Sequence, residues 1–122
     1  DAGARASDAQ VWVAVDDRGI VGTVTYVDPG SPLAEVATQR EAEIRTLAVA
    51  PAASGEGIGE ALTRAMIDLA RDGGFGSVVL SSSTTMRAAH RLYERLGFVR
   101  LPERDWTPGR GIQLIAYELP LT

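Results

Sequence analysis

Glu43-Ile44-Arg45-Thr46-Leu47-Ala48-Val49-Ala50-Pro51, and then Ser54-Gly55-Glu56-Gly57-Ile58-Gly59, is the passage that decides the fold. An apolar strand pattern stops at a proline, a glycine-rich turn follows, and a long amphipathic helix begins. That order gathers free backbone N–H groups and the positive end of a helix dipole at one point, a ready site for a phosphate or pyrophosphate. The glycines let a ligand approach the main chain closely, because no Cβ stands in the way.

The helix is read from Ile58, Leu62, Met66 and Leu69 at near-helical spacing, with Ala61, Ala65 and Ala70 beside them. It should run from residue 57 to about residue 72 and stop at Gly73-Gly74. Upstream, Val11–Val15 and Ile20–Tyr26 read as strands joined by the turn Asp16-Asp17-Arg18-Gly19, an antiparallel hairpin. Asp28-Pro29-Gly30-Ser31-Pro32 is a loop by composition, and residues 33–42 are mixed and acidic with no period. Downstream, Ser77–Ser81 is a short buried strand. Thr84 or Thr85 is the expected cap of a second helix carrying Ala89, Leu92, Tyr93 and Leu96, closed by Gly97. Phe98-Val99 resumes a strand, Pro102–Gly111 is a loop holding Trp106, and Ile112–Leu119 is the last strand. The order β-β-β-α-β-α-β-β indicates one α/β or α+β domain over residues 1–122 with a mixed sheet. The strand–helix–strand unit at the glycine turn should be parallel.

Composition narrows the function classes. The 122 residues suffice for one core but not two. A net charge of −4 argues against a nucleic-acid backbone as the main partner. The absence of cysteine rules out disulfides, thiolate zinc sites and cysteine nucleophiles, and no metal site is expected. No apolar run approaches the length of a membrane span, so a cytoplasmic protein is the default expectation. All 12 basic residues are arginine, and there is no lysine or asparagine. We read this as the codon bias of a GC-rich bacterial genome.

Gly55, Gly57 and Gly59 are evenly spaced, which fails the dinucleotide fingerprint, and without lysine a Walker loop is impossible. On spacing alone the turn is either a ligand site or a tight connection. A second segment, Ala89-x-x-Leu92-Tyr93-x-x-x-Gly97-Phe98, lies one strand and one helix later. Together the two segments resemble the GNAT superfamily of acyl-CoA-dependent N-acetyltransferases. The family's Q/R-x-x-G-x-G/A motif falls on Ser54–Gly59, and its N-x-x-A-x-x-L-Y-x-x-x-G-F helix falls on Met86–Phe98. Ala42–Pro51 resembles the family's fourth strand. The resemblance covers roughly residues 11 to 119.

The resemblance implies a mostly antiparallel central sheet with helices on both faces. It also implies acetyl-CoA as co-substrate and direct attack of a primary amine on the thioester in a ternary complex. Leu47, Ala48 and Val49 would lend backbone groups to the pantetheine arm, with one N–H near Leu47 or Ala48 facing the thioester carbonyl. Amides from Gly55 to Glu60 (Gly55, Glu56, Gly57, Ile58, Gly59, Glu60) would hold the pyrophosphate. Tyr93 would be the acid at the thioester sulfur, and Glu43 the first candidate for base, ahead of Glu41. Ser54 and Met86 replace residues that give the family polar cofactor contacts, and Glu56 adds a negative charge, so weaker acetyl-CoA binding is expected.

His90 reads as part of a solvated helix face, whose Arg87, Arg91 and Arg95 are candidates for a nucleotide phosphate. Trp106 with Asp105 either walls the acceptor site or pins its loop. The acceptor is a small-molecule or peptide amine, and a homodimer is one candidate assembly. The family begins with a strand and two helices that this sequence lacks, so relative to the family it reads as N-terminally incomplete. An acyl-CoA-binding sensor or scaffold is the competing reading.

Overall fold

A computed structural model describes residues 9–27, 40–109 and 111–121. Seven strands form one sheet. They are β1 (Ala9–Asp16), β2 (Gly19–Val27), β3 (Glu41–Val49), β4 (Ser77–Ser83), β5 (Val99–Arg100), β6 (Trp106–Gly109) and β7 (Ile112–Pro120). Helix α1 (Ile58–Asp72) connects β3 to β4, and α2 (Arg87–Arg95) follows β4. The order across the sheet is β1-β2-β3-β4-β7-β5, with β6 also pairing to β7. Among the described strands only β3 and β4 run parallel. The expected loop and acidic segment at 28–39 lie outside the described residues.

The core follows strand alternation. Val24 and Tyr26 of β2, Ala42 and Ile44 of β3, and Val78 and Leu80 of β4 pack in one cluster with Leu62 and Met66 of α1 and Leu92 and Tyr93 of α2. Both described helices therefore lie on the same face of the sheet, and helices on both faces are not seen among the described residues. Alternation turns Glu41, Glu43 and Arg45 of β3, with Ser81 and Ser83 of β4, toward the opposite face.

Two irregularities shape the centre of the sheet. Thr23 pairs with Ala48, but Thr25 pairs with Arg45. Val24 thus faces two residues, Thr46 and Leu47, which is a β-bulge. Pairing of β3 with β4 covers Glu41–Ile44 against Ser77–Leu80 and then ends. Beyond that point β3 stays with β2, while Ser81–Ser83 stay with Ala116, Ile115 and Leu114 of β7. The two parallel strands separate because each follows its other neighbour, and a slot opens between them.

Gly22 sets how closely α1 approaches β2. A Cβ there would meet Ile58 Cγ2 at 2.8 Å, Leu62 Cδ1 at 3.0 Å and the Ala48 carbonyl oxygen at 3.3 Å. Gly22→Ala should therefore cost about 1–3 kcal/mol of stability through overpacking. Urea unfolding checks it, with an unchanged midpoint as the contrary result.

Two local expectations are corrected. Residues 106–109 form strand β6 rather than continuing the loop, through pairs Trp106–Leu114 and Gly109–Ile112. Pro108 and Gly109 hid this strand from a propensity reading, because both residue types are depleted in strands. The N-cap of α2 is Met86, with no side-chain cap, rather than Thr84 or Thr85. The Thr85 hydroxyl is turned instead to Ser83 Oγ, 3.0 Å away.

Candidate functional site

Ala50 and Pro51 end β3, and a turn of 3-10 helix at Pro51–Ala53 leads into the glycine loop. Gly55 and Gly57 both sit in the left-handed region, with φ of +82° and +83°. Such angles are inexpensive only for glycine. Gly57 is the N-cap of α1, with no side-chain cap. The first turn of a helix leaves amides without intrahelical acceptors, and the earliest amide of α1 bonded back to the loop is Ala61, to Gly57 O at 3.0 Å. The Ser54 and Glu56 amides are occupied, bonding Pro51 O at 3.2 Å and Ala53 O at 3.3 Å. Of the expected run of amides, that of Glu56 is thus engaged within the turn itself.

These amides open onto a cavity of about 620 Å³. Its wall takes in Leu47, Ala48 and Val49 of β3, Ser54, Gly55, Gly57, Ile58, Gly59 and Glu60 of the loop and α1, and Met86, Arg91 and Arg95 around α2. A second cavity of about 290 Å³ occupies the slot between β3 and β4. Ile44, Arg45, Leu47, Ser81, Ser82, Ser83, Met86, Tyr93 and Leu114 line it. Leu47 and Met86 belong to both walls. The cavities therefore meet at the bulge of β3 and the start of α2. The structure brings the glycine loop, the bulged strand and Tyr93 around two neighbouring cavities.

Tyr93 is 5% exposed and stacks obliquely against Phe98 and Tyr117, at centroid distances of 5.6 and 5.8 Å. Burial, and to a lesser degree Tyr117, pushes its phenol up to about 12. The hydroxyl thus keeps its proton throughout the neutral range.

Glu43 is fully buried, in register with Val27 of β2 and Val79 of β4, and belongs to neither cavity wall. Glu41 is ion-paired to Arg104 Nη1 at 2.5 Å. Trp106 stands opposite Leu114, in the row that also holds Ser83, and its buried indole N–H has no hydrogen-bond partner among the described residues. Asp105 accepts from Arg100 and from the Ala116 amide, tying its loop to β7.

Charge around the loop is more balanced than the sequence implies. Arg18, from the β1–β2 turn, grips the Glu56 carboxylate through Nη1 at 3.1 Å and Nη2 at 2.7 Å. It also reaches Asp16 and the Ala52 carbonyl. The Arg18 guanidinium holds Glu56 below the usual glutamate range. Glu60 is likewise lowered, by Arg95 first and Arg64 second, and its bond to Arg95 joins the first turn of α1 to the last turn of α2. Sequence spacing gives no signal for the Arg18–Glu56 contact, which spans 38 positions. Arg18→Gln should leave the Glu56 charge uncompensated and weaken coenzyme A binding about threefold at low salt, less at high salt. Calorimetric titration at two ionic strengths checks this, and an unaltered Kd at both counts against it.

His90 is not simply part of a solvated face. Its Nε2 lies 2.9 Å from Ser83 O, and its ring centroid is 5.7 Å from that of Tyr117. It ties α2 to the free end of β4. Helical periodicity cannot reveal a contact with the preceding strand end.

The acetyltransferase (GNAT) family model matches residues 2–98. Human N-acetyltransferase 8B is 37% identical over 89 residues, covering 71% of this chain and 37% of the relative. N-acetylaspartate synthetase of Danio rerio is 38% identical over 104 residues, 80% of this chain and 33% of the relative. Among solved structures, a GCN5-related N-acetyltransferase from Kribbella flavida superposes with a TM-score of 0.69 at 31% identity, covering 93% of this chain and 68% of the other. The chain spans 42%, 37% and 38% of the length of the first curated relatives it matches.

Proposed function

Because this chain belongs to the acetyltransferase (GNAT) family, we propose that residues 1–122 form one acetyltransferase domain that moves an acetyl group from acetyl-CoA to a primary amine. The observation that carries this is the meeting of the two cavities at Leu47 and Met86. The larger cavity suits the nucleotide and pantetheine of the donor, with the free amides at Gly55 and Gly57–Glu60 on the pyrophosphate. Ser54 and Glu56 border that site, and Leu47, Ala48 and Val49 run beside the pantetheine arm. The slot between β3 and β4 takes the acceptor from the other side.

In the transfer, the neutral amine attacks the thioester carbon within a ternary complex. A C–N bond forms and the C–S bond breaks, the ammonium proton leaves to a base, and the thiolate is stabilised and protonated as it departs. The bulge at Thr46–Leu47 frees main chain from the β2 ladder and supplies the N–H for the developing oxyanion. Tyr93 donates its hydrogen bond to the sulfur. Glu43 is the first candidate for base, and Glu41, which is ion-paired to Arg104, the second. Glu43 would act through a relay, since its side chain is not in the cavity wall.

No helix among the described residues is long and apolar enough to cross a membrane. A cytoplasmic, bacterial setting and a homodimer remain part of this proposal. Thiol release from acetyl-CoA with a panel of primary amines tests it. Turnover with intersecting initial-rate patterns is the expected result. Coenzyme A binding with no amine turned over sinks the transfer activity and leaves a sensor, and no binding at all sinks both.

A further inference from the structure

Resting on the transfer activity proposed above, we propose that the acceptor is a small amino acid whose free carboxylate is held by Arg45. Among the described residues, the wall of the slot contains one charged side chain, and it is cationic. Arg45 shares that wall with Ser81, Ser82 and Ser83 and with apolar groups. No carboxylate of the described residues is part of it. A site built to recognise a lysine side chain or a polyamine needs negative charge around the protonated amine it first meets. The described wall of this slot offers a cation instead.

The placement follows from the strands. Arg45 is the first residue of β3 after its last pair with β4, Ile44–Leu80. It therefore stands at the mouth of the slot. Alternation puts it on the face opposite the two described helices together with Ser81 and Ser83, and the β7 partner of Ser83 is Leu114. The donor cavity lies on the helix side. An acceptor entering on the side of Arg45 meets the guanidinium and the serines before it reaches Leu47.

Arg45 already makes an interaction within the protein, but a guanidinium has five N–H donors in a planar fork that fits a carboxylate two at a time. Glu43 shares the face two residues away, about 6–7 Å along the strand, and is fully buried outside the wall. Glu41, on the same face, is ion-paired to Arg104. Neither carboxylate is among the described residues of the slot wall.

Size and connectivity then narrow the class. A cavity of about 290 Å³ holds a small molecule. In a polypeptide the carboxyl next to the terminal amine is already an amide, so a requirement for a free carboxylate excludes protein termini.

The test compares acid with amide. Wild type would be assayed by thiol release with L-alanine, L-phenylalanine and L-aspartate, each against its α-carboxamide. The amine of the amide is less basic and more often neutral, so intrinsic reactivity favours the amide. Any preference for the acid belongs to the site. For the best acid we expect kcat/KM about tenfold or more above its amide, mostly through KM. Arg45→Gln should collapse that ratio, and Arg45→Lys should retain part of it. Equal rates on acid and amide in wild type, or an Arg45→Gln loss equal for both, overturns the inference while leaving the transferase standing. Should no amine of any kind release thiol, the transfer activity fails first and the acceptor assignment with it.

Discussion

Replacing Tyr93 by Phe is expected to lower kcat by about tenfold or more while leaving coenzyme A affinity nearly unchanged. The ring stays, so the contacts with Phe98 and Tyr117 survive, and only the hydroxyl in the slot is lost. The raised phenol decides what that hydroxyl does. With Tyr93 near 12 and a thiol near 8.5, full proton transfer to the thiolate is uphill by about 5 kcal/mol. Its contribution is therefore a hydrogen bond that strengthens as charge grows on sulfur, with the final proton drawn from solvent. Two pH results follow. The kcat profile should show no loss from tyrosine ionisation below about pH 11. Stability should move the other way: above pH 10 the unfolded chain sheds this proton while the folded chain keeps it, so stability falls as pH rises from 10 to 12. The full loss is about 2–3 kcal/mol, and Tyr93→Phe should show a smaller alkaline decline. A variant with normal kcat removes Tyr93 from the chemistry.

The elements that place this tyrosine were mostly legible in the sequence. The apolar period of α1, the hairpin signal at Asp16–Gly19 and the proline that ends β3 are local features, and local features can be read one segment at a time. The parallel pairing of β3 and β4 follows from the helix between them. What was not legible depends on residues far apart in the chain. The bulge at Thr46–Leu47 exists only relative to β2, and the slot exists only because β3 and β4 each have a second partner. The grip of Arg18 on Glu56 and of His90 on Ser83 requires knowing where a turn and a strand end lie in space. Glu43 shows the same limit from the other side. A glutamate at a strand entrance reads as solvated, yet this one is completely buried in a central strand of the sheet.

Gly57→Val is expected to weaken coenzyme A binding by about a hundredfold, or roughly 2.7 kcal/mol. The backbone at this position has φ of +83°, and a Cβ there would touch no protein atom within 4 Å. The penalty therefore comes from conformation and from ligand space, not from a clash within the fold. A β-branched residue held in the left-handed region costs about 1–3 kcal/mol. The chain escapes that strain by turning φ negative, which swings the amides of Gly57 and Ile58 away from the cavity. Each charge-assisted bond to phosphate lost in this way is worth about 1.5–3 kcal/mol. Because Gly57 precedes α1 and leaves the Leu62–Met66 face in the core, the melting temperature should drop by only a few degrees. Gly57→Ala should fall between the two, since a single methyl tolerates positive φ better than a branched side chain. Titration calorimetry with coenzyme A, beside a thermal melt of each variant, separates the outcomes. Undiminished affinity in Gly57→Val would mean that the pyrophosphate does not rest on these amides. A collapse of the melt in step with affinity would make the glycine a folding requirement instead.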